Sequence, residues 1–206
     1  MTHLPRKPHV LRRLYNWTLS WADTKYGLWA LIGLSFIESS FFPIPPDVLL
    51  IALCFSKPKK WATYAFWCSV ASVLGGMLGW WIGKELWTLV GHYFFSYLGA
   101  VGFTTENFDK VQAMYQQYGF VAVLAAAFTP IPYKIFTIAS GVFNFSFWGL
   151  VLASALGRSA RFFLVAGFIR VGGPKIKPAL EKNFEWAISI AFALGVLGFL
   201  AIKWIK

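Results

Sequence analysis

Apolar residues fall along this chain in blocks of two kinds. Residues 61–83, 147–169 and 186–205 are uninterrupted, each about the 20 residues a helix needs to cross about 30 Å of hydrocarbon. Residues 27–56 and 119–145 are as apolar but broken by prolines, Pro43, Pro45 and Pro46 in the first and Pro130 and Pro132 in the second. A continuous helix cannot run through three prolines in four positions, because each removes a backbone donor and clashes with the preceding turn. The pattern predicts two arms of roughly 10–15 residues turning at the prolines, each too short to span the bilayer. The expected element is a re-entrant helical hairpin that enters the membrane partway and returns. Lipid cannot satisfy the irregular backbone at its tip, so the tip must be buried in protein or line a polar cavity.

The two broken blocks repeat one phrase. Pro43-Ile44-Pro45 returns as Pro130-Ile131-Pro132, and each is followed by Ala-Ser-x-Leu-Gly, ending at Gly75 and Gly157. The repeats cover residues 27–83 and 119–169. At one place they part: Gly76 and Gly79 of the first are matched by Arg158 and Arg161 of the second. Gly75, Gly79 and Gly83 are spaced by four, the pattern of a flat ridge for close helix packing. Lys57, Lys59 and Lys60 follow the first hairpin, and the positive-inside rule puts them beside the basic N-terminus if that hairpin returns. One full span then separates the two hairpins, which predicts that the repeats sit inverted in the membrane. Between them, residues 105–118 have Phe108, Val111, Tyr115 and Tyr118 on one face and read as an amphipathic surface helix. Residues 1–25 read as an interfacial helix with Trp17 and Trp21 toward lipid, and 171–206 as a basic loop and a final transmembrane helix. The fold class is an all-α polytopic membrane protein, with a membrane domain over 26–170.

Composition agrees. Of 206 residues, 58% are hydrophobic and 13% charged, more apolar surface than a soluble domain of this size hides. The net charge of +11 is gathered at the edges of apolar blocks, which suits anionic headgroups and argues against nucleic acid. Cys54 and Cys68 lie in apolar segments and read as packing residues. His3, His9 and His92 have no ligand spacing, so no metal is expected. No phosphate-binding loop or hydrolase motif is present, and neither a cofactor nor catalysis is called for.

The candidate chemistry lies in five charges, four at membrane depth and Lys134 near the outer mouth. Glu38 precedes the first proline turn and Asp47 follows it; buried carboxylates of this kind mark proton or substrate paths. Asp47 after proline is also a good helix start, where its carboxylate would cap free amides. Ser39 and Ser40 are placed to solvate Glu38. Arg158 lies near the centre of its span and Arg161 one turn on, on the same face. Two buried cations need anions, and Glu38, Asp47 or a phosphate would serve. A purely structural set of ion pairs is the plain alternative. Lys134, after the second turn, adds another cation.

Glu38 with Pro43-x-Pro45-Pro46-Asp47, Phe128-Thr-Pro-Ile-Pro-Tyr-Lys134 and Ile138-Ala-Ser-Gly141 resemble the DedA family of the VTT-domain (SNARE-associated Golgi) superfamily, in wording similar to its YqaA-like branch. The resemblance covers about residues 25–170. It implies a multi-pass bacterial inner-membrane protein, N-terminus cytoplasmic, with two facing hairpins. It implies lipid movement, of a polyprenyl phosphate or a phospholipid, coupled to protons at the acids matching Glu38 and Asp47. The chain departs from the family at Ala127 and Lys134, where many members carry arginine; Arg158 and Arg161 are placed to supply that charge. Three functions follow for comparison: a lipid translocase, with Arg158, Arg161 and Lys134 binding the headgroup; a proton-coupled transporter of a small solute or ion; and a membrane scaffold without transport.

Overall fold

The structure, a computed structural model, describes residues 21, 24–40, 45–98, 105–129 and 131–173. The interfacial helix expected within 1–25, the loop and final span beyond residue 173, and Pro43 and Pro130 fall largely or wholly outside them. The described residues form helices and no strand. In chain order these are α1 (Gly27–Ser40), α2 (Asp47–Ser56), a 3-10 turn (Pro58–Lys60), α3 (Trp61–Leu98), α4 (Thr105–Phe128), α5 (Tyr133–Val142) and α6 (Phe147–Gly172).

Two of the helices, Pro58–Leu89 within α3 and its turn, and α6, are long and apolar enough to cross a membrane. The short helices stop at the prolines as steric exclusion requires: α2 starts after Pro46 and α5 after Pro132. Two boundaries differ from expectation. α3 continues past residue 83 to Leu98, and α4 runs unbroken from the amphipathic stretch into the apolar one. No proline stands between Pro58 and Pro130, so nothing stops either helix. The first arm of the second repeat is therefore 24 residues and not 10–15, and the helix expected at 105–118 is its N-terminal part.

α3 is the hub, packed against α1, α5 and α6. The two halves exchange their short helices: α1 packs on α3 and α4 on α6, while α5 lies mainly on α3 and α2 mainly on α6. Backbone contact makes these joints close. A Cβ on Gly75 would overlap the Phe36 carbonyl of α1, and one on Gly83 the Ile138 carbonyl of α5. The glycine ridge expected on the first long span thus serves two partners, α1 above and α5 below. Serines line the α1 contact, with Ser35 donating to the Cys68 carbonyl at 2.8 Å and Ser40 to that of Gly75 at 3.1 Å.

The buried apolar side chains form two clusters. One joins α1, α2, the start of α3 and the second half of α6 through Leu31, Leu50, Tyr64, Cys68 and Phe162. The other joins α4, α5 and the first half of α6 through Val123, Tyr133, Phe145 and Leu150. The turn before α6 is tied down by Trp80, whose Nε1 donates to the Phe145 carbonyl at 2.9 Å, and by Gln112 and Gln116, which donate to the Phe143 carbonyl. Ser146 then caps α6, its hydroxyl accepting from the Gly149 amide. The middle of α6, residues 154–161, bridges the two clusters.

Candidate functional site

That bridge carries the charges. Arg158 faces α1 and donates from Nη2 to Glu38 Oε2 at 2.9 Å and to Ser39 Oγ at 3.3 Å, while its Nε donates to Ser72. Its guanidinium lies over two aromatic rings, 4.9 Å from the centre of Tyr133 and 4.7 Å from that of Phe162, at cation–π distance from each. The Tyr133 hydroxyl donates in turn to Ser154. Ser39 and Ser72 share a hydrogen bond of 2.7 Å, so Arg158 closes a polar network within the apolar middle of the molecule. Ser39 also reaches Glu38 at 3.3 Å, as expected, whereas Ser40 turns to the Phe36 and Gly75 carbonyls.

Arg161, one turn on, makes a different pair. Its Nε and Nη2 donate to Asp47 Oδ1 and Oδ2 at 3.2 and 2.8 Å, a two-pronged fork. Its Nη1 donates to the Thr129 carbonyl at 2.6 Å. One side chain thus bridges the residue after the first proline turn and the residue before the second. Capping does not occupy Asp47: Pro46 stands at the N-cap of α2 without a side-chain cap bond, and both carboxylate oxygens face Arg161. The two pairs also differ in exposure. Arg158 and Glu38 are 3% and 14% accessible, Arg161 and Asp47 18% and 17%. Both are buried enough that removing one partner leaves a costly lone charge.

Four of the five charged candidates are therefore brought together across the two halves. Lys134 sits half-buried in the first turn of α5. Pro45, Pro46 and Pro132 stand at the helix starts, shaping the backbone that presents Asp47 and Tyr133. Sequence reasoning missed Ser72, Tyr133, Phe162 and the Thr129 carbonyl. Of these, Phe162 had a readable signal, since it follows Arg158 by four on one helix. Among the described residues no cluster of metal-ligating side chains occurs, and Cys54 and Cys68 are buried free thiols.

Between α2 and α6 runs an open groove of about 710 Å³, lined only by apolar residues and glycine. Ile51 of α2 forms one wall, one turn after Asp47; Phe163, Leu164, Phe168 and Val171 of α6 are among those forming the other. Leu164, Phe168 and Val171 follow Arg161 at steps of three, four and three, so they continue its face of the helix.

Proline-broken helices, with acids and arginines joined between two related halves, define the class of this protein. The chain belongs to the VTT-domain family, whose domain matches residues 44–171, so the DedA-type likeness of its proline motifs holds and it is a membrane protein. Its relatives include an uncharacterized protein of Haemophilus influenzae, 35% identical over 94% of this chain and 98% of the relative. A Histophilus somni protein described as a homologue of HI0703 is 34% identical over 94% of this chain and 99% of its own length. An uncharacterized protein of Methanocaldococcus jannaschii is 24% identical over 68% of this chain and 82% of its own. No solved structure matches the chain.

Proposed function

We propose that the chain is a bacterial inner-membrane lipid translocase, N-terminus cytoplasmic, that moves a phosphate-bearing lipid across the bilayer. The observation that carries this reading is the Arg161–Asp47 fork, which joins the two proline turns, with an apolar groove farther along α6 whose lining starts two residues after Arg161. Arginine forks take carboxylate and phosphate in the same geometry, so a headgroup phosphate is a substitute for the carboxylate already there. The groove offers the lipid tails an apolar surface while the headgroup is held. Membership of the VTT-domain family supports a transporter-like role.

In this reading the short helices form two inverted re-entrant hairpins whose tips meet near the midplane, as in transporters built from repeats. The acids Glu38 and Asp47 compete with the substrate for Arg158 and Arg161, Lys134 adds a cation near the second turn, and a proton on a carboxylate releases its arginine. An apolar groove favours a lipid over a small hydrophilic solute. A scaffold without transport is favoured by a different observation: among the described residues every buried side-chain polar atom has a partner, as a purely structural network would show.

Reconstitution in liposomes with fluorescent phosphate-bearing lipids separates the readings. The wild type is expected to speed transfer between leaflets, and Arg161→Gln to lower that rate at least about tenfold, the loss of one charged fork. Equal rates in the two would strike Arg161 from the site. An inactive wild type with every lipid tested would remove the lipid reading and leave the solute transporter and the scaffold.

A further inference from the structure

Cations and carboxylates are unevenly divided between the two ends of the molecule. α1 and α3 run side by side in one direction, since Ser35 meets Cys68 and Ser39 meets Ser72 at a constant offset. Continued along both helices, that register sets Lys25, just before α1, level with the 3-10 turn that precedes α3. α6 arrives at the same end. The Trp61 ring stands edge-on to Phe163, with centroids 6.1 Å apart, and lies 3.7 Å from where a Cβ on Gly167 would be. Phe163, Gly167 and Arg170 follow one another at steps of four and three, so Arg170 is on the face of α6 that carries Trp61. Lys25, Lys57, Lys59, Lys60 and Arg170 thus gather at this end, all of them exposed. No described carboxylate stands there. Glu38 and Asp47 are paired in the middle, and Glu85, Glu106 and Asp109 lie at the far end, where Trp87 stacks on Phe108. The far end is mixed, with Lys84 and Lys110 among those acids and Lys110 paired with Glu106.

Helix dipoles account for only part of this. Lys57 at the C-cap of α2 and Arg170 in the last turn of α6 complement the negative ends of their helices. Lys59 and Lys60 stand directly before the first turn of α3, a positive helix end, and that turn holds no acid. The backbone keeps them there: the Lys57 amide donates to the Leu53 carbonyl at 2.9 Å, and the Lys60 amide to the Lys57 carbonyl at 3.0 Å. Cations held at an unfavourable helix end, with no carboxylate among the described residues to pair with, call for an anion from outside the chain. We propose that this end is a binding site for an anionic phospholipid with two phosphates, one against Lys57, Lys59 and Lys60 and the other against Arg170, with the Trp61 indole between them at headgroup depth. Two linked phosphates suit it better than two separate ones, because once the turn holds the first, the second is presented to α6 at high effective concentration. The turn belongs to the first half and α6 to the second, so the lipid joins the halves at the membrane surface as the ion pairs join them inside. It is a resident of the rim and not a cargo, and the site stands whether or not the chain transports anything.

The test uses the full chain in detergent micelles, with diphosphatidylglycerol and phosphatidylglycerol as probes and bound lipid counted by native mass spectrometry. Diphosphatidylglycerol is expected to bind at least about tenfold tighter than phosphatidylglycerol. Lys59→Gln and Arg170→Gln should each weaken it about fivefold, the worth of one basic residue at an anionic surface. Lys84→Gln, at the far end, should leave it unchanged. All three positions are outside the two buried clusters, so the lipid-free thermal midpoint of each variant should match that of the wild type. Equal affinities for the two probes would overturn the site and reduce it to a diffuse attraction between charged surfaces. Arg170→Gln without effect would overturn the bridge between the halves, and a loss at Lys84→Gln as large as at Lys59→Gln would overturn the placement at this end. A wild type that retains neither probe would remove the site altogether.

Discussion

The two halves of the molecule share a frame and differ in what fills it. In each, a glycine of the long helix lies against the backbone of the helix before the proline turn: Gly75 against Phe36 of α1, Gly157 against Leu124 of α4. The next positions diverge. Arg158 and Arg161 of α6 reach across to Glu38 and Asp47, whereas Gly76 and Gly79 of α3 make room for Tyr133 and Thr137 of α5. Aligning the Pro-Ile-Pro turns sets Ala125 opposite Glu38 and Lys134 opposite Asp47. One half-site is therefore two ion pairs, and its counterpart is packed with an aromatic ring and a threonine. The lesson is that the packing geometry tolerates duplication while the charges do not need it. A single charged site is assembled from acids of one half and arginines of the other, and the neutral counterpart supplies the Tyr133 ring against which Arg158 rests.

This comparison is broken most severely at Arg158. Arg158→Gln leaves Glu38 buried without its cation, and a loss of about 3–5 kcal/mol of stability is expected, read as a lowered thermal midpoint in detergent. An unchanged midpoint would mean that the pair adds nothing to the fold. Filling the neutral half-site should cost less. Gly76→Val pushes a side chain into the Tyr133 hydroxyl, and overpacking of this kind costs about 1–3 kcal/mol; a midpoint equal to wild type would show that the counterpart is loosely packed. Tyr133→Phe is the mildest. It removes the bond to Ser154 but keeps the ring over Arg158, so a loss near 1 kcal/mol is expected. A loss as large as that of Arg158→Gln would place the support for Arg158 in the hydroxyl and not the ring.

Much of this was legible in the chain because its strongest signals are prohibitions. Proline forbids helix, so α2 and α5 begin where Pro46 and Pro132 require. Buried charge forbids solitude, so Arg158 and Arg161 on one face of a span pointed to Glu38 and Asp47. Which arginine meets which acid was not legible, because that depends on how α1 and α2 approach α6 in three dimensions. The lengths of α3 and α4 were misjudged for the opposite reason: polar residues permit a helix to end without obliging it to, and nothing between Pro58 and Pro130 obliges it. The Tyr133 ring and the Thr129 carbonyl leave no pattern at all. Tyr133 and Thr129 come from the other proline turn, and neither residue type marks itself as a partner of arginine.

The exchange of short helices carries a consequence for how the protein is made. α2 leaves the ribosome early, yet its main packing partner is α6, the last helix described here. The first half must wait, unfinished, for the second to arrive. A nascent chain stopped between α3 and α4 would hold Asp47 without the arginine it pairs with, which makes biogenesis sensitive to the arginines.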